Sequence, residues 1–313
     1  MLAVITGGAG FIGSHIATAL VARGDTVRVY DNLSSGKRSN LADIADEVEF
    51  VHADIRDASQ LTEAFRGCEV VFHQAAIVSV PYSIERPEET QDTNLRGTLN
   101  VLQAARASGV RRVVFASSAA IYGDDPELPK RETMPPNPIS PYGIEKLTGE
   151  HYLRVYAKLH GIETVALRYF NVFGPRQDPS SAYSGVISIF VNRALAGTRP
   201  TIYGDGSASR DFVYVDNVVD ANVRAAFSSG ATGRALNVAC GVATTLRDLI
   251  AALSRIVGRE IDPVCAEPRP GDITDSLADI SLARSVLGYE PRVDVETGLR
   301  RLVAYVQQSL AKP

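Results

Sequence analysis

Short runs of β-branched and apolar residues recur along the first part of the chain: Leu2–Ile5, Thr26–Tyr30, Val48–Val51, Val70–Phe72, Arg112–Ala116 and Thr164–Leu167. Longer stretches with helical spacing separate them. Because the runs are apolar mostly at consecutive positions, they read as strands covered on both faces, as a parallel sheet flanked by helices requires. The pattern predicts a doubly wound parallel α/β fold over residues 1–175. Beyond that point Gly and Pro interrupt helical stretches near 184–197, 216–228, 245–257 and 295–309. Val238, flanked by Leu236 and Ala239, predicts a strand that returns to the main sheet. A segment near 212–245 would then rejoin the first domain, and 176–313 would otherwise form a smaller, interleaved C-terminal lobe. No repeat, low-complexity tract or linker divides the chain.

Composition narrows the function. Hydrophobic residues make up 45% of the 313 and charged residues 22%, which excludes a disordered or collagen-like chain. A net charge of −4 excludes a general nucleic-acid binder, which needs a basic surface. No apolar run approaches the roughly 18–20 residues needed to cross a bilayer. Met1-Leu2-Ala3-Val4-Ile5 lacks the order of a secretory signal, so a cytoplasmic location is expected. Cys68, Cys240 and Cys265 are scattered, and the five histidines show no metal-binding spacing, so neither disulfides nor a metal site is expected.

Gly7-Gly8-Ala9-Gly10-Phe11-Ile12-Gly13 follows the first strand and opens a helical pattern. Strand, glycine turn and helix in that order form the Rossmann signature: the backbone at Gly7 and Gly10 approaches a pyrophosphate, and Gly13 lets the helix pack closely. Asp31 ends the next strand 18 residues after Gly13, where a carboxylate accepts from adenosine ribose hydroxyls and repels a 2′-phosphate. NAD is therefore expected over NADP, with Lys37 and Arg38 nearby as solvated loop residues. Asn32 follows Asp31, and Asp54-Ile55 at the end of the third strand would reach the adenine; Asp57 equally serves as a cap for the helix that follows.

Tyr142 and Lys146 stand at i and i+4, on one face of a helix. A phenol is a poor base at neutral pH, but a neighbouring ammonium and a cationic nicotinamide both favour phenolate. Ser117-Ser118 ends the Val113–Ala116 strand, and ligands of open α/β sheets bind at strand carboxyl ends. With these stand His73-Gln74-Ala75-Ala76, Asn94, Ser118-Ala119-Ala120-Ile121-Tyr122-Gly123, the Arg168–Arg176 segment, Gly204-Asp205-Gly206 with Arg210-Asp211-Phe212, and Arg269-Pro270-Gly271-Asp272. Over nearly its whole length the chain resembles the extended short-chain dehydrogenase/reductases, and within them the nucleotide-sugar 4-epimerases related to UDP-galactose 4-epimerase.

The resemblance implies an NAD-dependent isomerase acting on a UDP-sugar through a transient 4-keto sugar. Ser118 would hydrogen-bond the reacting hydroxyl, Tyr142 would shuttle its proton, and Lys146 would hold the nicotinamide ribose. Gln74, Ala75 and Ala76 would line the cofactor site, and Asn94 would either touch NAD or bond backbone nearby. Arg210 and Arg269 would clamp the phosphates with Asn171. Val186 and Ile187 would line the uracil pocket or belong to a helix core. Ser79, Tyr203 and Asp272 would complete the sugar-nucleotide site. Ala119 and Ala120 occupy the positions where related dehydratases and decarboxylases carry acids, so epimerisation survives. In the resembling enzymes a tyrosine after the Gly-Asp motif restricts the pocket to glucose and galactose; Ser276 here would admit UDP-GlcNAc and UDP-GalNAc. A UDP-glucuronic acid 4-epimerase and a non-catalytic NAD-responsive binding protein are the alternatives. Helices near 88–107 and 143–158 would pair two subunits into a homodimer.

Overall fold

The computed structural model describes residues 1–178, 185–267 and 275–311. In chain order the first half runs through β1 (Leu2–Thr6), α1 (Phe11–Ala22), β2 (Thr26–Asp31), β3 (Val48–His52), α2 (Ala58–Ala64) and β4 (Val70–His73). Next come α3 (Val80–Glu85), α4 (Pro87–Gln91), a π turn (Asp92–Arg96), α5 (Gly97–Ala107), β5 (Arg112–Ser118), α6 (Pro141–His160) and β6 (Glu163–Tyr169). The second half holds β7 (Asn171–Phe173), α7 (Val186–Leu195), β8 (Thr201–Tyr203), β9 (Ser209–Arg210), β10 (Phe212–Tyr214), α8 (Val215–Phe227) and β11 (Arg234–Val238). It ends with β12 (Thr244–Thr245), α9 (Leu246–Val257), β13 (Val264–Ala266), α10 (Ser281–Leu287) and α11 (Val295–Ala311).

A seven-stranded sheet, ordered β11-β6-β5-β4-β1-β2-β3, forms the centre, and each pair in it is parallel. The six predicted strands lie in it, and Arg234–Val238 adds the seventh at the β6 edge. Consecutive strand residues supply opposite faces. Ala3 and Ile5 point to the side covered by Ile16 and Leu20 of α1 and Val218 and Ala221 of α8. Val4 and Val113 point to the side covered by Leu61 of α2, Val101 and Leu102 of α5 and Leu153 of α6. This two-sided burial is the reason the runs are apolar throughout. A third cluster, built from Phe173, Phe190, Phe212, Leu249, Leu253 and Leu299, makes the core of the C-terminal lobe.

Register sets the site. Thr6 on β1 pairs with both Tyr30 on β2 and His73 on β4, and His73 pairs with Phe115 on β5. The loops that follow β1, β2, β4 and β5 therefore emerge together at one sheet edge, on either side of the point where the strand order reverses.

Candidate active site

At that edge the chain leaves β1 through Gly7, whose φ is 69°. A Cβ at Gly7 would lie 2.7 Å from the Ala75 backbone nitrogen, and one at Gly13 would lie 2.2 Å from the Gly7 carbonyl oxygen. The turn is thus packed directly on the loop after β4 and on its own helix, with no room for a side chain. Gly10 caps α1 without a side-chain acceptor, so the first-turn amides at Phe11 and Ile12 keep their donors for an anion, where the helix dipole also favours one. The buried Asp31 carboxylate accepts from the N–H groups of Ala9 at 2.9 Å and Leu33 at 2.7 Å, which ties β2 to the glycine turn. Lys37 pairs with Asp178 at 2.8 Å and Arg38 lies over the Phe50 ring at 4.0 Å. A cradle that a Cβ would fill, an uncapped helix end and a buried acid beside them fit an NAD.

The neighbouring candidates are tied to one another. Asn32 Nδ2 donates to Asp54 Oδ2 at 2.8 Å, and Arg56 forks onto both Asp54 oxygens at 2.8 and 2.9 Å. Those bonds hold the Asp54 carboxyl well below the usual range. Asp57 caps α2, its Oδ1 accepting from the N–H groups of Ser59 and Gln60 at 3.0 Å each. Ile55 is buried, in space that Gly97 leaves open. Gln74 donates to Tyr169 Oη at 3.2 Å and Asn222 Oδ1 at 3.3 Å, and the backbone of Ala75 after it lies against Gly7 of the turn. Of the two roles expected for Asn94, the structure shows the backbone one. Its amide bonds both backbone groups of Ile77, at 2.7 and 2.9 Å, and the Glu145 carboxylate at 2.6 Å, so its polar atoms are spent on the protein.

Ser118 ends β5 half-buried, while its neighbour Ser117 points inward and donates to Glu150 Oε1 at 2.5 Å. Ser140 caps α6, accepting from the Gly143 N–H, with Pro141 at its first position, and this fixes where Tyr142 enters the helix. The Ser118 hydroxyl acts on the Tyr142 phenol, favouring its ionised form. Ser118 Oγ accepts from the Ala120 N–H at 3.1 Å, which leaves its own proton to donate. Lys146 donates to the Ala116 carbonyl at 2.8 Å and lies 5.7 Å from the Tyr142 ring centre. Burial pushes the phenol up to about 12, opposed by the Ser118 hydroxyl, and pushes the Lys146 ammonium down to about 8. The ammonium thus lies toward the face of the Tyr142 ring, and burial is the largest influence on the phenol.

In the C-terminal lobe β7 pairs with β10, setting Asn171 opposite Phe212, and the Asn171 N–H bonds the Asp211 carbonyl at 3.2 Å. Arg210, half-buried, donates to the Ser209 carbonyl at 2.9 Å. The Ser276 N–H bonds that same carbonyl at 3.1 Å, so the proposed sugar gate and the proposed phosphate clamp share one strand edge. Tyr203 is exposed at the end of β8. Ile187 takes the helix-core alternative, 1% exposed among Phe190, Phe212 and Leu253, and Val186 is the member of the pair with open surface. The Ser79 hydroxyl caps α3, accepting from the Tyr82 N–H at 3.0 Å and keeping its proton to donate. Arg269 and Asp272 lie outside the described residues.

Sequence spacing did not reveal the polar layer beneath the catalytic strand. Arg168 and Glu150 pair at 2.7 Å with 7% and 4% exposure, joined by Ser117 and Tyr122. Thr6, His73 and Thr98 form a second buried chain of hydrogen bonds ending on the Asn94 carbonyl. The polar residues themselves were the only signal, since partners 18 to 67 positions apart share no local pattern. Among the described residues no cluster could hold a metal ion, and no helix is long and apolar enough to cross a membrane.

Comparison with known proteins agrees with this geometry. The sequence model of the NAD dependent epimerase/dehydratase family matches residues 3–239. A UDP-glucose 4-epimerase of Mycolicibacterium smegmatis is 43% identical over 310 residues, covering 97% of this chain and 98% of that one. The solved UDP-glucose 4-epimerase of Thermus thermophilus in complex with NAD superimposes with a TM-score of 0.89 at 42% identity, over 98% of this chain and 99% of that one. A UDP-N-acetylglucosamine 4-epimerase from Methanobrevibacter ruminantium, in complex with UDP-N-acetylmuramic acid, gives a TM-score of 0.94 at 39% identity, over 98% of each chain.

Proposed function

This chain belongs to the NAD dependent epimerase/dehydratase family, and we propose that it is a UDP-sugar 4-epimerase that interconverts UDP-GlcNAc with UDP-GalNAc and UDP-Glc with UDP-Gal. One observation carries the conclusion: Ser118 at the end of β5, Tyr142 of α6 and Lys146, bonded to the Ala116 carbonyl and 5.7 Å from the tyrosine ring centre, converge at the carboxyl edge of the sheet. The glycine turn would hold the pyrophosphate of NAD, Asp31 the adenosine ribose and Lys146 the nicotinamide ribose. When bound, NAD supplies reversible hydride acceptance at the sugar. Tyr142 takes the C4 hydroxyl proton and returns it, and Ser118 orients that hydroxyl and stabilises the phenolate. Ala119 and Ala120 carry no proton, which speaks against water elimination and decarboxylation.

Acceptance of the acetamido sugars is supported by the small side chain of Ser276, which shares the Ser209 carbonyl with Arg210. The test is an equilibrium product assay with UDP-Glc, UDP-Gal, UDP-GlcNAc, UDP-GalNAc and UDP-glucuronic acid. Interconversion of the first four is expected, and Ser276→Tyr should abolish turnover of the acetamido pair alone. Equal losses on both pairs refute the gate; turnover of the uronic acid alone, or of none, refutes the substrate assignment.

A homodimer belongs to the same proposal. Ile144, Val155 and Leu159 are 53%, 47% and 67% exposed on α6. At 100° per residue they fall on one stripe, which suits pairing with a second copy. Light scattering that reports a monomer would remove this part.

A further inference from the structure

Glu145 stands between Tyr142 and Lys146 on α6, yet it is only 4% exposed. A buried carboxylate is costly unless it is hydrogen-bonded and its charge is matched. Its Oε2 accepts from Asn94 Nδ2 at 2.6 Å, and that amide also clasps the Ile77 N–H and carbonyl. Because a carboxylate only accepts, Glu145 forbids the flipped amide, which would set two oxygens face to face. The orientation matters beyond Ile77. The same loop runs on to Ser79, the cap of α3, and Ser83 of α3 accepts the Tyr142 N–H at 3.2 Å through its Oγ. Bonds that leave α6 at Glu145 thus return to it at the tyrosine.

Charge follows the same line. Among the described residues no carboxylate forms an ion pair with Lys146, and Glu145, buried next to it on α6 and three positions after Tyr142, is the adjacent acid whose charge raises both groups. Other titratable groups on the elements around α6 are neutral, paired or exposed. His73 on β4 is pushed down to about 3 by burial and then by Lys146, so it is neutral. Tyr122 is neutral too, pushed up to about 12 by burial. Arg168 on β6 is paired with Glu150, and Arg112 on β5 with Glu163. Arg96 and Asp92 of the π turn pair with each other, while Glu85, Glu88, Glu89 and Arg106 of α3 to α5 are exposed.

We propose that Glu145 is a positioning residue of the proton shuttle, orienting Asn94 and the Ile77 loop and supplying the buried countercharge of Lys146; this rests on Tyr142 as the proton carrier. Glu145→Gln keeps an acceptor for Asn94 and removes the charge. Both limbs of the kcat against pH profile then move to lower pH, by about one unit, because phenol and ammonium each lose a proton more readily. KM changes by less than about twofold. Glu145→Asp, charged but short, lowers kcat and leaves the limbs in place. A merely structural residue would lower the whole profile without moving it, so unmoved limbs in Glu145→Gln overturn the proposal. Should that variant not fold, Glu145→Thr is read in the same way. Tyr142→Phe separates the two levels: full turnover there sinks the tyrosine assignment, whereas an inactive Tyr142→Phe beside unmoved limbs sinks Glu145 alone.

Discussion

Gly13→Ala tests whether the glycine turn is built to the tolerance that the cofactor cradle requires. The new methyl would lie 2.2 Å from the Gly7 carbonyl oxygen and 2.8 Å from the Gly8 Cα, against 3.4 Å for ordinary contact, so the parts must separate by about 1.2 Å. Both neighbours are backbone, and neither rotates away. Retreat of α1 is also blocked, because Ile16, Ala17 and Leu20 on its inner face are fully buried. Overpacking of this kind costs about 1–3 kcal/mol, and with two rigid partners the upper end applies. Borne by the cofactor-competent conformation, that corresponds to roughly 100-fold weaker NAD binding. Calorimetric titration of cofactor-stripped protein measures it, with Gly230→Ala as control, since nothing lies within 4 Å of a Cβ there. If Gly13→Ala bound NAD as tightly as Gly230→Ala, with equal thermal stability, the close-packed turn could not be the cradle described.

The remaining predictions concern charge. Burial holds the Tyr142 phenol at about 12, and the phenolate is its charged form, so a cationic nicotinamide beside it must lower that value. The tyrosinate absorbance difference between wild type and Tyr142→Phe should therefore titrate at lower pH in the NAD-loaded protein; identical curves would refute it. Arg168→Met leaves the Glu150 carboxylate, 4% exposed, without its cation, and should cost about 3–5 kcal/mol in urea unfolding. Replacing both partners by apolar residues should recover much of that loss, and a single variant as stable as wild type would show the pair to be unimportant.

Several parts of this protein are legible without coordinates. The strands of the main sheet are, because burial on two faces forces unbroken apolar runs. The glycine turn and Asp31 are legible because a phosphate at a helix start dictates both backbone and spacing. Tyr142 and Lys146 are legible because four residues of helix bring them to one face. Other features were not. Asn94 reads equally as a cofactor contact or a backbone partner until its amide is seen bonded to Ile77 and Glu145, the latter 51 positions away. Val186 and Ile187 are neighbours of similar chemistry, and only the packing of α7 decides which one is enclosed.

Local periodicity and turn chemistry therefore determined the doubly wound sheet, the expectation of NAD and the pairing of Tyr142, the proposed proton carrier, with Lys146 on one helix face, since each depends on interactions within a few residues. Tertiary structure alone decided how ready that carrier is to work. Whether Lys146 meets the ring or the hydroxyl of Tyr142, and which buried carboxylate balances it, follows from long-range packing. Charge interactions inside a protein vary steeply with distance and solvent exposure, and neither quantity is written in residue order.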